Sequence, residues 1–517
     1  MSTGTIDDFL KELDDLNIEG SAQNNMECTK QLLAVGDKIF ESSTIIKDRI
    51  ANGTFQSNIS GDSYIEERSS DGVVFKRPVI DLVQQGGTML GIALLGYTYI
   101  MEKAGVRFRS MAGTSAGAIN TLLLSALPER IYKEKSPFIK DGRQAVKSEF
   151  LAHLVANKDF SAFLDRKGTI GRLQKWLVNR INKVKKILPY LLLALPVVLL
   201  GLSYLTYNFI ISNIFSISNG VKETEIRVYA FITGTLGIIA VLLLMLFLLF
   251  RLFKQTMGVN PGEVVYEWMR SILETKFVDI KTTGELKAKK QNETPVTNPE
   301  KCSDARLVFI TANLTHNRIV KFPDNTGDYW KKEYIDSVTP AAYVRASMSL
   351  PFIFYAFIPG DRHVQTRNGN APKDTVHKLA RFVDGGMLSN FPIREFHVPP
   401  TVKPKYPTFG VLLGVPASHV VPVPEVAKRR FFSVSVFKYM VSFISTFRNF
   451  YDDDFLTTHP EFSHLVKAVN TSRFNSLDFG MSFQLKQELF AEGAKTAISQ
   501  LEQFNWQEYL KSRTVTP

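Results

Sequence analysis

The chain has 517 residues, enough for a large buried core and more than one ordinary domain. Its 45% hydrophobic and 22% charged residues match globular averages and exclude a disordered polymer. A net charge of +12 points to an anionic partner, nucleic acid or lipid, while two cysteines, Cys28 and Cys302, exclude a disulfide framework.

Residues 1–75 are polar with helical periodicity in places, and are expected to form an N-terminal arm. The acidic, amphipathic start lacks the basic and apolar regions of a secretory signal. From 76 to 165 an α/β domain begins. A strand starts near Val79 (VIDLV), then come glycines, and a helical pattern runs from Leu90 to Lys103. Arg107 to Met111 reads as a second strand and Ala116 to Leu127 as a second helix. Strand, helix, strand, helix in succession implies parallel strands.

Between 166 and 255 the composition changes. Arg166 to Lys186 alternates basic residues with Leu173, Trp176, Leu177, Ile181 and Val184, as a helix lying on an anionic membrane surface would. Val228 to Phe250 is uncharged and bracketed by Arg227 and Arg251; the stretch from Ile187 to Ile214 is also uncharged but contains prolines and asparagines. A bilayer core needs roughly 20 apolar residues, so two spans are expected, at about 187–210 and 228–250. Basic residues crowd both outer flanks, which places both on the cytoplasmic side. Adjacency to a span favours lipid, not nucleic acid, as the partner of this charge.

The α/β domain resumes over 256–425. Asn260-Pro261 opens a helix reaching about Glu274, residues 281–303 read as a polar loop, and Leu307 to Ala312 as a buried strand. Pro340 to Ser349 reads as a helix, Ala380 to Val383 and Thr408 to Leu413 as core strands, and 426–517 as a C-terminal helical region.

Three motifs carry chemistry. Gly113-Thr114-Ser115-Ala116-Gly117 fits G-x-S-x-G between a strand and a helix, where a strained turn projects a serine hydroxyl and the elbow glycines Gly113 and Gly117 prevent clashes. Upstream, Gly86-Gly87-Thr88-Met89-Leu90-Gly91 matches neither a dinucleotide fingerprint nor a P-loop. Backbone amides of Gly86, Gly87 and Thr88 are instead expected to form an oxyanion hole. Far downstream, Asp384-Gly385-Gly386 follows an apolar strand end, where a rigid carboxylate can act as general base. No metal-ligand spacing is visible, and neither a metal nor a cofactor is expected.

In this order the motifs resemble the patatin-like phospholipase family, and Arg345-Ala346-Ser347 with Leu350-Pro351 is similar to that family's R-A-S-x-x-x-P segment. The resemblance covers roughly 77–127 and 305–415. It implies a three-layer α/β/α sandwich, here with the two-span hairpin inserted. It also implies a Ser-Asp dyad without histidine, with Ser115 as nucleophile and Asp384 as proton acceptor, acting on phospholipids or lysophospholipids. One departure stands out: where the family's loop reads G-G-G-x-R/K-G, this chain has Thr88 and Leu90. Two other readings use the same residues. One is an α/β-hydrolase triad drawing on His397, His419, His459 or His464, all of which follow Asp384. The other is a catalytically degenerate membrane scaffold.

Overall fold

A computed structural model describes residues 5–16, 22–68, 72–165 except 140, 141 and 157, 258–297, 305–365, 372–414 and 454–513, with Asp452 and isolated positions between 167 and 247. Four helices come first: α1 (Ile6–Leu16), α2 (Ala22–Ser42), α3 (Thr44–Ala51) and α4 (Phe55–Ser60). Then follow β1 (Tyr64–Arg68), β2 (Val74–Gln84), α5 (Gly91–Lys103), β3 (Arg107–Thr114), α6 (Ala116–Ala126) and α7 (Lys147–Ala156). After the central region come α8 (Glu263–Leu273), α9 (Thr283–Gln291), β4 (Leu307–Asn313), β5 (Arg318–Phe322), α10 (Pro340–Ser347), β6 (Phe382–Asp384) and β7 (Thr408–Leu413). The chain closes with β8 (Val466–Val469), α11 (Phe483–Gln503) and α12 (Trp506–Arg513).

The strands form one mixed sheet in the order β5-β4-β3-β2-β7-β8, with β1 added to β2 and β6 to β4. Five neighbours, β4, β3, β2, β7 and β8, run parallel. Their residues are apolar without alternation, as expected of strands covered on both faces: Val79, Ile80, Leu82 and Val83 of β2 and Val308, Phe309 and Ile310 of β4 are buried. With helices packed against it, this sheet fits an α/β/α architecture. The helices approach closely: a Cβ on Gly96 of α5 would lie 2.0 Å from the Phe490 carbonyl oxygen, and one on Gly493 of α11 would lie 1.8 Å from that of Ala93.

Chain order reverses about β2, with β3 and β4 on one side and β7 and β8 on the other. In open parallel sheets the crevice beyond the carboxyl ends of strands at such a point is where ligands bind. The glycine loop and Ser115 follow the ends of β2 and β3.

Several expectations need revision. The N-terminal residues do not stand apart as an arm but belong to the same compact unit as the sheet. Strand β1 pairs antiparallel with β2, and α1 and α2 bury Phe9, Leu13, Leu32 and Leu33. His153 of α7 joins them, with Nδ1 2.8 Å from Thr29 Oγ1 and Nε2 3.0 Å from Asp14 Oδ1. The stretch 281–303 is not all loop. Thr282 Oγ1 accepts from the Glu285 N–H at 3.2 Å and Glu285 Oε2 accepts from the Thr282 N–H at 3.0 Å, a capping box that starts α9.

The expected spans at about 187–210 and 228–250, and the basic segment Arg166–Lys186, lie almost entirely outside the described residues. Among the described residues no helix is long and apolar enough to cross a membrane. The points where the central region leaves and rejoins the fold are well defined. The Asp165 carboxylate accepts from the N–H groups of Gly262, Glu263 and Val264 at 2.9, 2.7 and 3.2 Å. Exit and return therefore meet at one carboxylate, which also neutralises the positive end of α8. Residues 166–261, together with 352–355, form a second unit. Within it the Asn260 N–H donates to the Ile353 carbonyl at 2.8 Å, and the Tyr355 N–H donates to that of Asn260 at 2.8 Å.

Candidate active site

Ser115 sits between the last residue of β3 and the first turn of α6 with φ +52° and ψ −117°. This is the left-handed side of backbone space, unusual for a residue with a Cβ and characteristic of strained functional turns. The glycines beside it are there for lack of room. A Cβ on Gly113 would lie 2.3 Å from the Gly117 carbonyl oxygen, and one on Gly117 would lie 2.5 Å from that of Gln84. Ser115 is 5% exposed and Asp384 is 3% exposed.

Strand β4 brings the two together. Its Ile310 pairs with Thr114 of β3, and its next residue, Thr311, pairs with Asp384 of β6. Because β5 occupies Phe309 to Asn313 along one edge, β6 takes the other edge of β4, continuing the line that β3 gives up. Residues along a strand advance about 3.3 Å, so Thr114 and Asp384 stand about one step apart beside β4. Ser115 follows Thr114 directly. A Cβ on Gly385 would meet the Ile310 carbonyl oxygen at 2.3 Å, so this close approach requires the first glycine after the aspartate. The Gly386 N–H donates to Asp384 Oδ1 at 2.8 Å, fixing the carboxylate from its own turn.

The R-A-S-x-x-x-P segment braces both partners, a role that spacing alone did not reveal. Ser347 Oγ accepts from the Ser115 N–H at 2.9 Å and donates to the Ile310 carbonyl at 2.6 Å. Two residues on, the Ser349 carbonyl accepts from the Asp384 N–H at 2.9 Å. Buried Arg345 holds the segment, with Nη1 2.5 Å from Ser349 Oγ and Nε 3.1 Å from the Gly262 carbonyl. Burial pushes its guanidinium pKa down to about 10, so it remains charged at neutral pH.

Among the described residues Ser115 Oγ makes no hydrogen bond, so the two residues expected to form a dyad are neighbours beside β4 without a bond between their side chains. Catalytic hydrogen bonds are often long in free enzymes and tighten around substrate. His397, His459 and His464 form no hydrogen bond with either residue among the described residues, and His419 falls outside them.

The glycine loop differs from expectation at one donor. The Gly86 N–H is spent on the Asn390 carbonyl at 3.0 Å, and Asn390 Nδ2 returns a bond to the Gly86 carbonyl at 3.1 Å. Gly86 therefore ties the loop to the aspartate loop and cannot serve an oxyanion. Gly87 and Thr88 donate no hydrogen bond among the described residues. Thr88 has φ +50°, a region open to glycine and costly for a β-branched side chain. Thr88 thus stands in a glycine conformation. The Asp452 carboxylate adds a support unseen in the sequence, accepting from Ser389 Oγ at 2.9 Å and from the N–H groups of Asn390 and Phe391 at 2.7 Å each.

A family model described as patatin-like phospholipase matches residues 82–397, more than half of the chain and spanning all three motifs. This chain belongs to the patatin-like phospholipase family. Membership supports lipid acyl hydrolysis as its general activity. No curated protein matches the chain. Among solved structures, VipD from Legionella pneumophila is similar at 13% identity and a TM-score of 0.30, covering 87% of this chain and 70% of that one. A likeness that weak carries no argument here.

Proposed function

We propose that this patatin-like protein hydrolyses acyl esters of membrane phospholipids or lysophospholipids through an acyl-Ser115 intermediate, with Asp384 as base. The observation that carries the reading is the register of β4, which sets the strained Ser115 beside a buried aspartate. Ser115 Oγ attacks the acyl carbonyl while the Asp384 carboxylate takes its proton. The resulting oxyanion is held by the Gly87 and Thr88 amides and by the amide of Ala116 at the start of α6, where the helix dipole favours negative charge. Collapse expels the lysolipid or glycerol oxygen, which takes the proton from Asp384. Water, deprotonated by the same carboxylate, then attacks the acyl-serine and releases the fatty acid.

The inserted region is read as a two-span membrane hairpin, with the catalytic domain on the cytoplasmic side. The uncharged stretches support this, as does Asp165, which holds the two ends of the insertion together as an even number of crossings requires. The basic run Arg166 to Lys186 suits an anionic leaflet.

The test is fatty-acid release from mixed phospholipid and lysophospholipid vesicles by wild type, Ser115→Ala and Asp384→Asn. Release is expected from wild type and a loss of at least about 10³-fold in each variant, the scale set by removing a nucleophile or its base. Equal release by all three overturns the reading.

A further inference from the structure

Sequence offered no metal-ligand spacing, yet folding brings together His397, His459 and Glu461, with the two histidines 62 residues apart in the chain. One ligand atom from each lies within 4.8 Å of the others. His397 follows the short turn Ile393–Phe396 that leaves the aspartate loop, and His459 and Glu461 flank the start of another turn, Pro460–His464.

Three details distinguish this group from an ordinary polar cluster. Glu461 is 7% exposed, and its Oε1 has no hydrogen-bond partner among the described residues. His397 Nδ1 is likewise buried and without one. Such atoms are costly to leave unpaired. His459 Nδ1 lies 2.9 Å from the Phe455 carbonyl, which can only accept, so Nδ1 carries the proton and Nε2 keeps its lone pair; Thr458 Oγ1 stands 3.0 Å from the same nitrogen. An imidazole oriented by a backbone carbonyl in this way is the usual second-shell arrangement of a metal-bound histidine.

The surroundings suit a cation. Among the described residues no lysine or arginine forms an ion pair with Glu461. Two cations stand nearby and both are engaged: Arg513 with Tyr509 Oη at 2.8 Å and the carbonyls of Val398 and Pro399 at 2.6 and 2.7 Å, and Arg394 with the Phe455 ring at 4.8 Å and Asp454 at 3.7 Å. Rings enclose the site: His459 stacks on Phe455 at 4.1 Å, and Phe462 lies 5.6 Å from His397.

We propose that His397, His459 and Glu461 bind one divalent transition metal ion, zinc by ligand chemistry, with water completing the coordination. Two imidazoles and a carboxylate are borderline donors that suit zinc and exclude magnesium and calcium, which take oxygen ligands. Zinc bonds of about 2.0–2.1 Å put tetrahedral donors roughly 3.3 Å apart, so the side chains must draw in by up to about 1.5 Å. The metal would clamp the chain leaving the aspartate loop to the segment that also supplies Asp452.

The experiment uses full-length protein in detergent, stripped with a chelator and titrated with Zn²⁺ against a chromogenic zinc indicator. A Co²⁺ titration followed by visible absorption reports ligand geometry. Wild type is expected to take up one equivalent of Zn²⁺ and to give the intense bands of four-coordinate cobalt. Glu461→Gln and His459→Asn are expected to weaken binding by at least about a hundredfold, beyond what loss of an outer-shell partner costs. Folded wild type that takes up no stoichiometric Zn²⁺, or variants that bind as tightly as wild type, would overturn the proposal. Because wild type alone decides the first outcome, a misfolded variant does not rescue it.

Discussion

The two residues of the proposed dyad are held in different ways. Ser115 is positioned mostly by its own neighbourhood, a strand, a glycine-flanked turn and a helix within about twenty consecutive residues, with Ser347 holding its amide from outside. Asp384 is positioned from afar. Its amide is held by Ser349, its strand pairs with β4, and the loop after it is held by Asp452 and by Gly86. A nucleophile needs strain, which local sequence can store. A base needs direction, which here comes from the Gly386 amide of its own turn and from distant supports that hold that turn in place.

The comparison can be broken first at Ser347, whose hydroxyl bonds both to the Ser115 backbone and to β4 beside Asp384. Ser347→Ala leaves the buried Ser115 N–H without its partner, at about 1–3 kcal/mol. A fall in kcat of roughly 10- to 100-fold with little change in KM is expected, since about 1.4 kcal/mol is a factor of ten. Steady-state hydrolysis of a soluble acyl ester checks it, and an unchanged kcat would mean that the elbow needs no outside support.

A smaller effect is expected at the glycine loop. Thr88→Gly removes a left-handed threonine, relieving strain of about 1–3 kcal/mol and giving back part of it as chain entropy. Net stabilisation on the order of 0.5–1 kcal/mol with hydrolysis preserved is expected. Denaturant midpoints with an unchanged slope would show it. Destabilisation would mean that Thr88 makes a contact worth more than its strain.

What could be read in advance follows the same division. The elbow, the glycine loop and D-G-G are contiguous, and periodicity placed β2, α5, β3 and α6 to within a few residues. The supports were invisible because they join residues hundreds of positions apart: Ser347 to Ser115, Asp452 to Asn390, Asn390 to Gly86. Gly86 shows the cost. As a motif residue it was expected to donate to an oxyanion, but its amide faces Asn390, and no local pattern reports where an N–H points. Helix α9 was legible in principle, since Thr282 and Glu285 spell a capping box, yet its lysine-rich polar composition read as loop. The N-terminal helices carry a buried apolar face, Ile6, Phe9, Leu10, Leu13, Leu32 and Leu33, but nothing local to them reports which distant elements that face docks on.

The central claim is that Asp384 activates Ser115. The most direct measurement is the rate at which a fluorophosphonate labels Ser115, located by mass spectrometry, in wild type and Asp384→Asn. Labelling confined to the Ser115 peptide, and slowed at least about a hundredfold in the variant, is the expected result for a base that contributes 10²–10⁴-fold. Labelling at another serine, or an equal rate in both proteins, would contradict it.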